Sequence, residues 1–250
     1  MRKILVATLV AIAAPVSASA APADVASAVA GRDRPEAAVA LDGGRRPAEV
    51  LRFLGLERGD RALDMFTGTG YYAEIIARAI GPAGSATGWN PANFTTDAAR
   101  KTWAGVRERA PNAAFFATPA PSLALPLKAY DFVMIHLDYH DVYWENEGAN
   151  YRRVDPDAFV RTVFESVKPG GTVGVVDHVA PAGGDTREIV ARLHRIDPDV
   201  VRADFERAGF VLEARSDLLR NPADDHSKSV FDPAIRGKTD RVIFRFRKPG

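Results

Sequence analysis

Across 250 residues, 33 Lys and Arg stand against 32 Asp and Glu, and a formal net charge of +1 offers no excess of the kind nucleic acid attracts. The absence of cysteine rules out disulfides, a thiol nucleophile, a lipobox anchor and iron–sulfur clusters. Hydrophobic residues make up 46% of the chain, enough for a core in one domain of this size.

The chain opens on the basic Met1-Arg2-Lys3, continues through an uncharged apolar run from Ile4 to Ala14, and reaches Ala18-Ser19-Ala20, the small-x-small pattern of a signal-peptidase site. An apolar run this short does not cross a bilayer core, which needs about 20 residues. Residues 1–20 are therefore expected to be a signal peptide cleaved after Ala20. That leaves 250 − 20 = 230 residues in the periplasm or secreted, without stable membrane association and with the net charge moved from +1 to −1 by loss of Arg2 and Lys3. Residues 21–44, rich in Ala, Gly and charge and without a sustained period, read as a loosely attached N-terminal arm. Residues 45–250 are expected to form one domain.

Pro47 suits a first helical turn, Val50, Leu51 and Leu54 follow at helical spacing, and Gly55 and Gly59 close the segment. A strand is predicted over Arg61–Phe66, a helix over about 71–80, a strand over Ser85–Trp89 and a helix over about 95–109. Strands follow near Ala113–Ala117 and Tyr130–Leu137. Pro156 opens a helix through Val167, and "KPGGTVGVVDHVAP" gives a turn and a fifth strand. Asp197-Pro198 opens the next helix, ended by Gly209, before "FVLEARSDLL" and "RVIFRFR" finish as strands. Strands alternating with helices make an α/β protein with a doubly wound, mostly parallel seven-stranded sheet and helices on both faces. Ligands of such sheets bind beyond the carboxyl ends of the strands.

Gly68 and Gly70 fall where the first strand turns into a helix, and a missing Cβ there lets the backbone approach a ligand. An apolar strand carrying Asp64, the Gly-x-Gly turn, a helix, and a second strand tipped by the polar Asn90 together resemble the class I methyltransferases that use S-adenosylmethionine. Their first motif runs apolar-apolar-Asp-x-Gly-x-Gly-x-Gly. The resemblance spans about Arg46 to Pro249 and includes "YDFV" in the fourth strand and the turn "VKPGG". The segment "LLRNPADDHSKSVFDPAIRGKTD" is most similar to a group of secreted bacterial predicted methyltransferases of unknown substrate.

The resemblance implies S-adenosylmethionine as cofactor, a small-molecule acceptor, an antiparallel last strand, and a cofactor site built from Asp64, Phe66, Gly68, Gly70, Tyr71, Asn90 and Thr118. Three of these depart from the pattern. Phe66 stands at the first glycine and Asn90 where relatives carry an acid that accepts both ribose hydroxyls. Thr118 stands where many place an Asp that reads the adenine amine. Asn90 accepts only on its carbonyl oxygen, which weakens the ribose contact by ~1 kcal/mol. Phe66, Tyr71, Tyr72 and Trp89 offer ring faces to a sulfonium cation, although Phe66 suits packing beneath the loop equally well.

All five histidines lie between residues 136 and 226. His136 shares a strand face with Phe132 and Met134 and reads as a core histidine. His140, in "LDYHDVYWE", occupies a place where similar small-molecule enzymes often carry a histidine, and Tyr139 beside it is a substrate-contact candidate. Asp177-His178, at the end of the fifth strand, is a candidate acid–base pair. His194 precedes a helix start and reads as a cap. The spacing of Asp138, His140, Asp141, Asp177 and His178 matches no zinc motif, so no metal is expected. The excursion of about 20 residues before the last strand is long for a hairpin and is expected to close over the site. In that arrangement Phe231 and Ile235 anchor the loop, while catalytic His226 and substrate-binding Lys228 and Arg236 face the pocket. The alternative to methyl transfer is an exported protein that keeps this fold and binds or transforms another small molecule.

Overall fold

The computed structural model describes residues 20–250, so the expected leader lies outside the described residues save for Ala20. Three short helices come first, α1 (Val25–Val29), α2 (Glu36–Val39) and α3 (Asp42–Arg45), followed by α4 (Pro47–Leu54). The sheet then unfolds in chain order as β1 (Arg61–Met65), α5 (Tyr71–Ile80), β2 (Ser85–Pro91), α6 (Asp97–Arg109), β3 (Ala113–Thr118) and β4 (Tyr130–His136). It continues through α7 (Pro156–Ser166), β5 (Val167–His178), α8 (Thr186–Leu193), α9 (Pro198–Arg207), β6 (Val211–Ser216) and β7 (Arg241–Arg247). The seven strands lie in the order β3-β2-β1-β4-β5-β7-β6, with β7 antiparallel to both neighbours and the other pairings parallel. The order reverses between β1 and β4, whose registered ends are Met65 and Ile135.

The central strands are buried on both sides and therefore read as continuous apolar runs, YDFVMIH in β4 being the clearest. Alternation still sorts them by face. Leu63, Met65, Val133, Ile135, Val173 and Val175 join one apolar cluster with α7 and α9, whereas Ala62, Phe132, Met134 and Val176 join the other with α4, α5 and α6. Helix starts follow local chemistry. Asp155 accepts hydrogen bonds from the N–H groups of Asp157 and Ala158 at the start of α7, and Asp197 does so from Asp199 at α9, each with proline at the first helical position. Helix α8 is an addition to the sequence reading. Asp185 caps it, but only Val190 and Leu193 of its eight residues are buried, too weak a stripe to announce a helix.

The arm is docked, in contrast to the loose attachment expected. Ala23 N–H donates to Leu56 O at 3.0 Å and Asp24 N–H to Ala79 O at 3.1 Å, while Val25 and Ala28 are buried against α4 and α5. Arg34 is clamped on both carboxylate oxygens of Asp42 at 2.7 and 2.8 Å. No helix among the described residues is long and apolar enough to cross a membrane.

Candidate functional site

The β1–α5 turn is held from beneath. Asp64 is buried at the end of β1, and its Oδ2 accepts from Thr67 Oγ1 at 2.5 Å and from Ala73 N–H at 3.0 Å, so one carboxylate ties strand, turn and helix together. Burial pushes its pKa up to about 7, against the lowering effect of those two donors. Phe66 keeps the left-handed backbone (φ 53°) for which the resembling motif uses glycine. Its ring packs edge-on against Trp89 at 5.0 Å and near Phe159 at 5.9 Å. Packing beneath the loop is thus the role it takes, and the ring turns away from the open side. Tyr71 also faces the protein, donating to Asp42 Oδ1 at 2.6 Å beneath the Arg45 guanidinium.

Gly68 and Thr69 are exposed, and open space lies where a Cβ on Gly68 (φ 55°) would project. Gly70 (φ 88°) differs, since a Cβ there would meet Trp103 and Val106 at 3.1 Å. Asn90 Oδ1 accepts from Gly68 N–H at 3.1 Å and so braces the turn, while its Nδ2 finds no partner among the described residues. Thr118 Oγ1 accepts from the indole N–H of Trp89 at 3.0 Å. The first N–H groups of α5, those of Tyr71 and Tyr72, make no hydrogen bond among the described residues and remain donors.

A cavity of about 330 Å³ opens at the same edge of the sheet, lined by Phe94, Leu137, Asp138, His140, Asp141, Trp144, His178, His194, Val230 and Phe231. His140 lies in the tight turn after β4, where Asp177 receives it twice. The backbone N–H donates to Oδ2 and the ring Nδ1 meets Oδ1, both at 2.8 Å. Burial opposes charge on this ring, but Asp177 and Asp141 outweigh it and raise the pKa to about 9. His178 behaves oppositely. Burial first and the neighbouring His140 second hold its pKa well below the ordinary range, and its Nδ1 lies 2.6 Å from Thr239 Oγ1. The two rings are 6.0 Å apart.

The side-chain contact of Asp177 is therefore with His140, not with the ring of His178. Neighbours on a strand point to opposite faces, which leaves the Asp177 carboxylate directed across β4 toward the turn that carries His140. His136 is the core histidine expected, 6% exposed, with its ring 4.5 Å from Tyr72.

Four expected contacts are not at the cavity. Tyr139 is fully buried and donates to Asp204 Oδ2 on α9 at 2.7 Å. His226 Nε2 is engaged by Asp240 Oδ2 at 3.0 Å, and the side chains of Lys228 and Arg236 are exposed. The long connection does reach the cavity, but with inverted polarity. Val230 and Phe231 line it, Phe231 meeting His194 edge-on at 4.8 Å, while Arg195 clamps Asp224 at 2.9 and 3.0 Å to fix the loop's base. The anchor is polar and the part over the cavity apolar, because a buried bidentate ion pair holds a loop more specifically than exposed rings do. Phe94 and Trp144 are cavity-lining residues that the sequence did not single out, while Asp141 is weighed there only for a metal and His194 only as a cap. His194 arrives through the left-handed end of α8 (φ 50°), an element without a readable signal.

No protein-family model matches the chain, and no curated protein matches it. Solved structures do. The chain is similar to a SAM-dependent methyltransferase from Aquifex aeolicus, at 17% identity over 89% of this chain and 98% of that one, with a TM-score of 0.58. A SAM-dependent methyltransferase from Mesorhizobium loti aligns at 17% identity over 83% and 100%, with a TM-score of 0.57. The [4+2]-cyclase SpnF aligns at 22% identity over 82% and 80%, with a TM-score of 0.58. At these identities the likeness establishes the fold. The chain has the Rossmann-like methyltransferase fold. A cyclase among the neighbours illustrates that this fold hosts more than one reaction.

Proposed function

We propose that the protein transfers a methyl group from S-adenosylmethionine to a small molecule held in the histidine-lined cavity. The observation that carries this reading is the shared edge. The exposed Gly68 turn follows β1, the cavity residues Leu137 and Asp138 follow β4, and the two strands are direct neighbours at the switch point of the sheet.

The residues present fit such a cofactor in the turn. Gly68 leaves open space for close approach, and the unused N–H groups of Tyr71 and Tyr72 stand at a helix N-terminus, where they suit a carboxylate. At the tip of β2 they fit less well, because Asn90 offers its amide nitrogen where a ribose hydroxyl seeks an acceptor. When bound, the cofactor supplies an activated methyl group, so the chain's own work is to orient the acceptor, exclude water and receive a proton. His178, with Nδ1 held by Thr239 and its ring at the cavity wall, is placed to receive that proton. The aromatic rings of Phe94, Trp144 and Phe231 favour an acceptor with a flat apolar body.

Calorimetry and thermal melting of the purified protein test this, with micromolar binding of S-adenosylmethionine or its demethylated product and a raised Tm expected. No heat and no shift at millimolar ligand would favour the second reading, a fold retained for another small molecule, which the Asn90 and Thr118 departures support. Export after cleavage at Ala20 belongs to the same proposal, and N-terminal sequencing of the mature protein tests it.

A further inference from the structure

His140, Asp141 and His194 converge on one point at the cavity wall. Asp141 Oδ1 lies 3.4 Å from His140 Nε2 and 3.5 Å from His194 Nδ1, and the three ligand atoms fall within 4.8 Å of one another. These separations are too long for good hydrogen bonds. They match the spacing of donors around a tetrahedral ion, since ligands about 2.1 Å from a metal and about 109° apart sit about 3.4 Å from each other.

The pattern of partners leads to the same point. Asp141 is 8% exposed, yet its Oδ1 has no hydrogen-bond partner among the described residues. Asp177 takes the His140 Nδ1 side at 2.8 Å and so directs the Nε2 lone pair toward Asp141. A carboxylate behind a histidine is the arrangement that orients metal-ligating imidazoles. With His140 neutral and its Nδ1–H donating to Asp177, the three ligand atoms that face one another are satisfied together by one cation.

We propose that His140, Asp141 and His194 bind one divalent transition-metal ion whose remaining positions face the cavity. Two imidazoles and one carboxylate suit zinc, cobalt or iron(II) rather than magnesium or calcium, which prefer all-oxygen sites. Three protein ligands beside open space describe a site that takes a substrate oxygen, in contrast to a closed structural site. The proposed site departs from the metal-free site expected from spacing, where His194 was not weighed with the other two ligands because the whole of α7, β5 and α8 separates them in the chain. The site goes beyond the methyl-transfer reading and stands without it.

The test uses the full untagged chain, stripped with a chelator, with no adenosyl ligand added. Titration with Zn²⁺ by calorimetry is expected to give one equivalent bound at micromolar affinity or tighter. Co²⁺ is expected to give the intense visible bands of four- or five-coordination by nitrogen and oxygen. Asp141→Asn and His194→Gln should each weaken Zn²⁺ by about 100-fold or more, and Asp177→Asn, which reaches the proposed ligands through His140, by about 10- to 100-fold. Circular dichroism checks that each variant is folded, and the wild-type cobalt spectrum decides the matter without any variant. The proposal is overturned by no Zn²⁺ binding at about 100 μM, by a cobalt spectrum of six oxygen ligands, or by affinity unchanged in folded Asp141→Asn and His194→Gln.

Discussion

The turn from Asp64 to Gly70 and the histidine cluster from His140 to His194 occupy the same edge of the sheet but are built in opposite ways. The turn is seven consecutive residues braced mainly by near neighbours, with Asp64 reaching Thr67 and Ala73, Asn90 and Trp89 arriving from β2 and Trp103 from α6. The cluster draws on the tips of β4 and β5, the end of α8 and the connection before β7. A local device tolerates drift in single residues, as Phe66 shows by adopting glycine's backbone conformation. A device assembled from distant segments works only if every segment is placed, and here the placing is done by Asp177 on His140, Thr239 beside His178 and Arg195 on Asp224. The turn should therefore govern ligand affinity and the cluster the chemistry, a division that substitutions can break.

The largest effect is expected at the cluster. His178→Gln should reduce methyl transfer by about 10²- to 10⁴-fold, the range for loss of a general base, while leaving affinity for the adenosyl ligand unchanged. Equal losses in turnover and cofactor affinity would show that the two regions are not separate. His226→Ala is the contrasting change. Its ring serves Asp240 rather than the cavity, so a modest fall in Tm with normal turnover is expected.

The second effect divides the turn itself. Gly70→Val forces a side chain against Trp103 and Val106 at a left-handed position, and should destabilise folding by about 3–5 kcal/mol in urea denaturation. Gly68→Val meets no neighbour and bears only the backbone strain of about 1–2 kcal/mol, yet it fills the open space over the turn and should abolish ligand binding. If Gly68→Val bound the cofactor normally, the turn would be a connection and nothing more.

Those two glycines looked equivalent in the sequence, and they mark what could be read there. The helix starts at Pro156 and Asp197-Pro198 and the Gly-x-Gly turn were legible because a few adjacent residues determine each of them. Asp177 was paired with the wrong histidine because its nearest neighbour along the chain was favoured over His140, which meets it only once β4 and β5 align. His194 and Phe94 were illegible for a related reason, since nothing near either of them in sequence marks a cavity wall. In the long connection the polar residues were assigned to the pocket and the apolar ones to the anchor; the buried Arg195–Asp224 pair reverses the second assignment, and Val230 and Phe231 at the cavity reverse the first.

A third test concerns pH. The Asp64 pKa of about 7 in the folded state exceeds the ordinary 3.8, so between these values the folded chain holds a proton that the unfolded chain has lost. Its contribution is complete below about pH 4 and is lost as pH rises through 7, at a slope on the order of 1 kcal/mol per unit. Asp64→Asn should flatten that part of the stability profile. A profile unchanged by the substitution would mean that Asp64 remains ionised beneath the turn.

The smallest expected effect sharpens the comparison most, because it asks whether the turn is a weakened form of a familiar site or a different one. Asn90 is 4% exposed, and one oxygen already accepts from Gly68 N–H. An aspartate there keeps that hydrogen bond on one oxygen and turns the other, in place of the present amide nitrogen, toward a ligand hydroxyl. Asn90→Asp is therefore expected to tighten adenosyl ligands by roughly 5- to 10-fold, about 1 kcal/mol, with little change in Tm. Tighter binding with the ribose hydroxyls present, and no gain with a 2′,3′-dideoxy analogue, would place ribose at the tip of β2. Unchanged binding of both would mean that the ligand never reaches Asn90, and that the residue serves only to brace Gly68.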